Sequence, residues 1–380
     1  MVNKPLILKL YEAASMRRWN DQIRPVELTE LDKQAHKMII AYVLAKIEEG
    51  KGNKEINWLE IIEAGIFEYL QRTELTDLKP PLFHRIKENQ QKYIRLNQWA
   101  YDRLEPIITP IDKEFSLRFK NYLFSKERNV NRRIISAAHF YATKWEFEII
   151  KRTNPQGHLI NEIEEDIKKK EEKYHDLVSM QYLLESQDLG DFVHICGQLR
   201  FQIRWSHIHR VPKTSVLGHM LIVAMLSYLF SLGKNFKKER LINNYLTGLF
   251  HDLPEVLTRD VINPVKRSVE GIGDIIKDYE KEEMERRIYK ILPLSWHRQI
   301  KTYTEEEFSQ LKTGQGIIIR DGELVKANDE LAAFIEVYLS LQNGVVNRDL
   351  KKAKEDIFTR YQSKVVSGIN FESIYKDFRH

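Results

Sequence analysis

Two histidines and two aspartates in the second half of this 380-residue sequence are placed as metal ligands would be. His219 opens one strongly apolar stretch, the pair His251-Asp252 closes the next, and Asp329 sits on a later amphipathic one. Mixed imidazole and carboxylate donors suit a borderline divalent cation such as Mn, Co, Ni, Fe or Zn; Mg prefers oxygens alone and suits the set less well. An unpaired carboxylate beside apolar helices is expensive, so the burial itself argues for a shared cation. Around the four lies a rim suited to phosphate, with Arg204-Trp205 upstream and Lys266 downstream. A bare His-Asp dipeptide carries no such weight. His175-Asp176 lies in a charged stretch without apolar framing or later acids, and is not a candidate.

Donors so far apart meet only if separate helices deliver them. Met220 to Leu232 predicts a buried helix stopped at Gly233, too short to span a bilayer. Leu241 to Leu253 predicts the next, with Pro264 as its downstream breaker, and Leu324 to Leu341 an amphipathic one. Ile317-Ile318-Ile319 fits either a short strand or the first turn of that last helix. The tail from Asn347 to His380 reads as one or two helices packing back on the body. In the first part, Ala35 to Glu49, Trp58 to Leu70 and Ile134 to Ile150 carry helical apolar stripes, with Gly50 to Asn53 and Pro80-Pro81 as stops. Asn161 to Lys173 is dominated by Glu, Asp and Lys, which predicts an exposed helix. The expected fold class is all-α. Residues 1–150 form one helical domain, 151–190 a charged helical connector, 191–345 the domain with the candidate site, and 346–380 a helical tail.

Composition narrows the function classes. Apolar content of 42% and charged content of 30% are those of a folded soluble chain. A net charge of +5 over this length does not call for nucleic acid, though it favours a small anionic substrate. The single cysteine, Cys196, excludes an intrachain disulfide and fits a reducing cytosol. The N-terminus lacks a basic region followed by an apolar core, so a cytoplasmic protein without membrane attachment is expected.

The two halves share more than periodicity. Gly65-Ile66-Phe67-Glu68-Tyr69-Leu70 lies over Gly248-Leu249-Phe250-His251-Asp252-Leu253, Asp77 over Asp260 and Pro81 over Pro264. Arg18-Trp19 precedes His36 much as Arg204-Trp205 precedes His219, with three extra residues in the first copy. Coincident Gly, Pro, Arg and Trp point to an internal duplication.

The ordered set Arg204-Trp205, Gly218-His219, His251-Asp252-Leu253-Pro254-Glu255-Val256-Leu257-Thr258-Arg259-Asp260, Pro264-Val265-Lys266 and Val325-Lys326-Ala327-Asn328-Asp329 resembles the HD superfamily of metal-dependent phosphohydrolases. Within it, the set looks most like the bacterial YfbR-like 5′-deoxynucleotidases, over residues 195–345. The resemblance implies two tandem HD-domain-like helical bundles, the first degenerate. It implies His219, His251, Asp252 and Asp329 as metal ligands and Glu255 as general acid/base. It implies Arg204 and Lys266 as phosphate contacts, Trp205 as a stacking surface or a wall at the sugar 2′ position, and Asp260 as acceptor from a ribose hydroxyl or anchor for Arg204. Gly218 and Arg259 depart from the family pattern, which bears on substrate identity more than on metal binding.

The implied reaction is removal of phosphate from a nucleoside 5′-monophosphate. The same ligands serve HD phosphodiesterases and nucleoside-triphosphate hydrolases, and a site that binds without turnover would make a nucleotide-binding or interaction protein. In the first copy His36 is retained, Glu68-Tyr69 replaces the pair, Phe140 the last Asp and Arg72 the Glu. Too few donors remain for a divalent site, so residues 1–150 are expected to bind no catalytic metal. They stand in for the second subunit of a dimer, as an internal pseudo-dimer, or the chain forms a homodimer.

Overall fold

A computed structural model describes residues 1–76, 78–260 and 269–379. The chain divides between Glu185 and Ser186 into two compact units. The acidic and basic segment, expected to connect two domains, therefore belongs to the first unit, and the C-terminal tail to the second. Residues 151–185 are held to the first unit by side chains of the Val130–Thr153 helix: Arg133 pairs with Asp176, Lys144 with Glu171 and Lys151 with Glu164. The decoy His175-Asp176 thus contributes its Asp to an exposed ion pair.

The first unit is a bundle of helices around Glu30–Gly50, whose residues are buried along nearly its whole length. It packs against Trp58–Leu75, Val130–Thr153 and Val178–Glu185. Short polar side chains start these elements. Thr29, Asn57 and Asn129 each accept a hydrogen bond from the N–H three residues on, satisfying a donor the helix leaves unpaired. Five charged residues, Glu30, Asp32, Lys33, Lys37 and Glu48, are buried on this central helix. Buried charge persists only with partners, and most of these partners belong to one cluster taken up below.

The second unit is built the same way around Val216–Gly233, capped by Ser215 and buried from Val216 to Ser231. This helix is longer than its sequence limits predicted, and by length and composition it could cross a membrane. It is 89% buried inside the unit, so its apolar surface is spent on the protein core. Lys238–Phe250 and Gly322–Gln342 pack on it. Gly248 makes the first contact close: a Cβ there would lie 2.7 Å from Cα and N of Ala224. Gly248→Ala therefore must separate two backbones, and is expected to lower stability by about 1–3 kcal/mol in denaturant titration. Gly65→Ala meets the flexible Met38 side chain instead, and should lose less.

Of Ile317-Ile318-Ile319, the last two lie in a strand and Ile317 precedes it. Ile318–Asp321 pairs antiparallel with Gln310–Lys312 and leads directly into Gly322–Gln342. Buried Arg320 donates to the carbonyls of Thr302, Glu306 and Ser309, fixing the loop that carries Glu307 and Phe308. The tail forms the helix Arg348–Arg360, a two-residue hairpin and Phe371–Lys376, whose aromatic side chains pack on Phe230 and Phe334.

One backbone frame recurs in both units. Arg18 N–H bonds Leu28 O at 2.8 Å, and Arg204 N–H bonds Thr214 O at 3.0 Å. Bridges join Arg17 to Thr29 and Ile203 to Ser215. Trp19 and Trp205 both have φ of 57°, a left-handed backbone unusual for a bulky residue.

Candidate metal centre

Glu336 holds that frame in the second unit. It is fully buried on Gly322–Gln342 and receives Trp205 Nε1–H at 2.9 Å and the Thr214 hydroxyl at 2.8 Å. Arg204 Nε lies 3.4 Å from the same carboxylate. These contacts fix the strained tryptophan and aim the far end of Arg204 at Asp252, 3.5 Å from its Nη1. Burial disfavours the Glu336 charge, yet Arg204 and Arg210 hold its carboxyl well below the usual range.

The helix capped by Ser215 places His219 one turn in, where its Nδ1 faces Glu336 at 3.5 Å. Its Nε2 points the other way, 2.9 Å from Asp329 Oδ1 and 3.7 Å from Asp252 Oδ2. His251, just after the end of Lys238–Phe250, has Nδ1 2.9 Å from Gly248 O. That bond fixes the tautomer and leaves Nε2, buried and without a hydrogen bond, facing Asp252 at 3.2 Å and Asp329 at 4.0 Å. One donor each from His219, His251 and Asp329 lies within 4.8 Å of the others. Burial alone would lower the His251 pKa, but Asp252 and Asp329 overcome it and raise it to about 9. Burial likewise opposes the charge on Asp252, which the two imidazoles and Arg204 nevertheless hold well below the usual carboxylate range. An orphaned imidazole nitrogen among two carboxylates and a second imidazole is a donor set that fits a divalent cation.

A cavity of about 930 Å³ opens from this cluster. Glu255, buried at the start of a single helical turn, lines it, as do Asp260, Arg204, Trp205 and His207. Asp260 makes no ion pair with Arg204 among the described residues, but its charge helps hold that guanidinium protonated. Lys266, with Pro264 and Val265, lies outside the described residues. The other walls went unread in the sequence. Ile272–Glu283 contributes Lys277, Arg348–Arg360 contributes Lys352 and Arg360, and the fixed loop contributes Glu307, whose carboxyl burial pushes up. Glu336 was also missed. Its signal was a lone acid in the apolar run Leu331 to Leu341, two helical turns beyond Asp329 and so on the same face.

In the first unit the same frame corrects the sequence alignment. Glu146 receives Arg18 Nε–H at 2.9 Å and Trp19 Nε1–H at 3.0 Å, as Glu336 receives Trp205. Counting from the caps, Lys33 N–H bonds Thr29 O as His219 N–H bonds Ser215 O. Lys33, not His36, therefore holds the place of His219. Counting back from Glu146, His139 rather than Phe140 holds the place of Asp329. His36 is a buried core residue edge-on to Trp145, and Phe140 stacks on Tyr174. Tyr69, in the place of Asp252, is buried and donates to Leu10 O.

Residues 196–370 match the family model described as an HD domain. The second unit is accordingly an HD domain, a hydrolase of the HD type, and the matched stretch runs past residue 345 to take in the helix Arg348–Arg360. The chain is similar to the 5′-deoxynucleotidase of Photobacterium profundum, 28% identical over 178 residues, 46% of this chain and 84% of the relative. It is 28% identical to that of Vibrio vulnificus over 45% of this chain and 84% of the relative. It is 26% identical to that of Pectobacterium atrosepticum over 43% and 78%.

Proposed function

We propose that the second unit is a cytoplasmic metal-dependent phosphohydrolase that removes phosphate from a nucleoside 5′-monophosphate. The observation that carries this reading is the convergence of His219, His251, Asp252 and Asp329 beside an Arg204 held by Glu336, at the floor of a cavity. Similarity to 5′-deoxynucleotidases supports the substrate class.

His219, His251, Asp252 and Asp329 would hold the cation. Once bound, a divalent ion supplies Lewis-acid stabilisation of phosphoryl charge and an acidified water. Arg204 is the phosphate clamp: Glu336 and Asp252 engage its Nε and Nη1 and set the direction of the fork. Trp205, locked by its indole N–H, presents its ring at the sugar. Glu255 moves the proton between water and leaving ribose oxygen. Asp260 accepts from a ribose hydroxyl, and Lys266 adds a second positive charge for phosphate.

Glu336 is a positioning residue for both halves of the site, since one carboxylate faces His219 Nδ1 and Trp205 Nε1. Glu336→Gln keeps the shape and removes the charge. It is expected to weaken Mn binding by about 10–100-fold, read by calorimetric titration, and to raise KM through the loosened Arg204-Trp205 pair.

A second reading has one observation in its favour. The cavity continues past the metal-ligand cluster to Lys326, Lys352 and Arg360, cations that would suit further phosphates of a diester or a nucleoside triphosphate. The test is product analysis on a nucleotide panel with Mn or Co added. Inorganic phosphate from monophosphates supports the nucleotidase; a monoester released from a diester, or diphosphate or triphosphate released from a nucleoside triphosphate, selects the alternative; no turnover of any phosphate ester by metal-loaded protein refutes both.

A further inference from the structure

The first unit keeps the Arg-Trp-Glu frame and puts ammonium groups near the positions of the second unit's metal-ligand cluster, leaving the local charge balance incomplete. Three acids face the cluster, and each is engaged. Glu146 takes Arg18 and Trp19. Glu30 takes Arg18 at 2.8 Å and Gln34 at 2.6 Å, with Arg72 at 3.6 Å. Glu68, in the place of His251, takes Lys37 at 3.1 Å and the Tyr122 hydroxyl at 3.0 Å.

Lys33 has no carboxylate within ion-pair reach among the described residues. Its fully buried amino nitrogen meets the ring nitrogens of His139 at 2.5 and 3.0 Å. Burial, with the charges of Arg18 and Lys37, holds Lys33 well below its ordinary value despite Glu30. His139 is exposed, so this edge of the cluster is open to solvent. Arg18 commits Nε and Nη1 to the two glutamates, and its Nη2 makes no hydrogen bond among the described residues. A buried amino group short of an anion, beside a guanidinium with donors to spare and an open edge, is what a phosphoryl dianion completes, because the bound anion also favours the protonated amine.

We propose that the first unit carries a metal-independent binding site for a phosphate monoester, with the Lys33 ammonium in place of a metal ion and Arg18 as the clamp. The ligand is recognised at its phosphate: the Trp19 ring packs on the cluster of Leu28, Phe147, Ile150 and Ile160 and contributes shape rather than base reading. Nothing is hydrolysed there, because Tyr69 is turned into the core and Arg72 stands where the second unit has Glu255. The inference borrows the backbone frame of the second unit and not its activity.

The test uses the full chain, chelator-treated and carrying Asp252→Asn so that the second unit holds no metal, titrated calorimetrically with deoxyadenosine monophosphate and with inorganic phosphate. Binding is expected, weakened about 10–100-fold by Lys33→Met, the range for a lost charged hydrogen bond. Tighter binding of the nucleotide would identify a nucleotide site, and equal binding a free-phosphate site. A thermal melt checks that Lys33→Met folds. Independently of any variant, hydrogen exchange should slow in residues 16–34 when the probe is added. No binding of either probe, or binding unchanged by Lys33→Met, or no protection of residues 16–34, overturns the proposal.

Discussion

Asp252→Asn is expected to reduce phosphate release by about 10³-fold or more, the scale of losing charge stabilisation at a reacting phosphoryl group, and to remove bound metal at the same time. Asp252 is the carboxylate that reaches everything. Its Oδ2 lies 3.2 Å from His251 Nε2, 3.7 Å from His219 Nε2 and 3.5 Å from Arg204 Nη1. The amide keeps the volume and loses the charge that balances all three. The substitution has a second readout in chelator-treated protein. There burial alone favours neutral His251, and the acids, Asp252 foremost, lift it from 6.5 to about 9. A raised pKa stabilises the fold fully below about 6.5, and that contribution is lost as pH rises through about 9. In Asp252→Asn the His251 titration followed by NMR should move down, and the loss of stability on raising pH from neutrality to about 9 should shrink. A variant that keeps wild-type turnover, or a His251 titration that does not move, contradicts this assignment.

Glu255→Gln should separate chemistry from binding. The residue is buried at the cavity wall, three positions after Asp252, and lies outside the ligand set. If it carries the proton between water and leaving oxygen, kcat falls by about 10²–10⁴-fold while metal content and KM stay near wild type. A parallel loss of metal would instead make Glu255 a ligand, and unchanged kcat would remove it from the reaction.

Much of the site was legible because its donors ride on helices whose apolar surfaces announce them. His219 opens a run buried through Ser231, and His251-Asp252 closes one buried from Asn244 to Phe250, and such runs leave few readings for polar residues at their ends. Glu336 was not legible, because its partners Trp205 and Thr214 lie 131 and 122 residues away. No local pattern announces an acid that serves residues so distant in the chain. The same limit hid Ile272–Glu283 and Arg348–Arg360, which matter only for the cavity they close.

The first unit shows a different failure. Lys33 and His36 are three residues apart, hence on one helical face, so a slip of about one turn left the apolar stripe in phase and His36 looked equivalent to His219. Matching His36 to His219 puts the three additional residues before the helix. They lie within or just after it: Glu30–Gly50 has 21 residues where Val216–Gly233 has 18. Only the caps and the Glu146 contacts, which are three-dimensional, set the register.

The most direct test is anomalous diffraction from crystals of the full chain grown with Mn. One peak per chain is expected, bound by His219 and His251 through their Nε2 atoms and by the carboxylates of Asp252 and Asp329, with first-row ligand distances of about 2.0–2.2 Å. No peak at those side chains, or a peak beside Lys33 and His139, would contradict it.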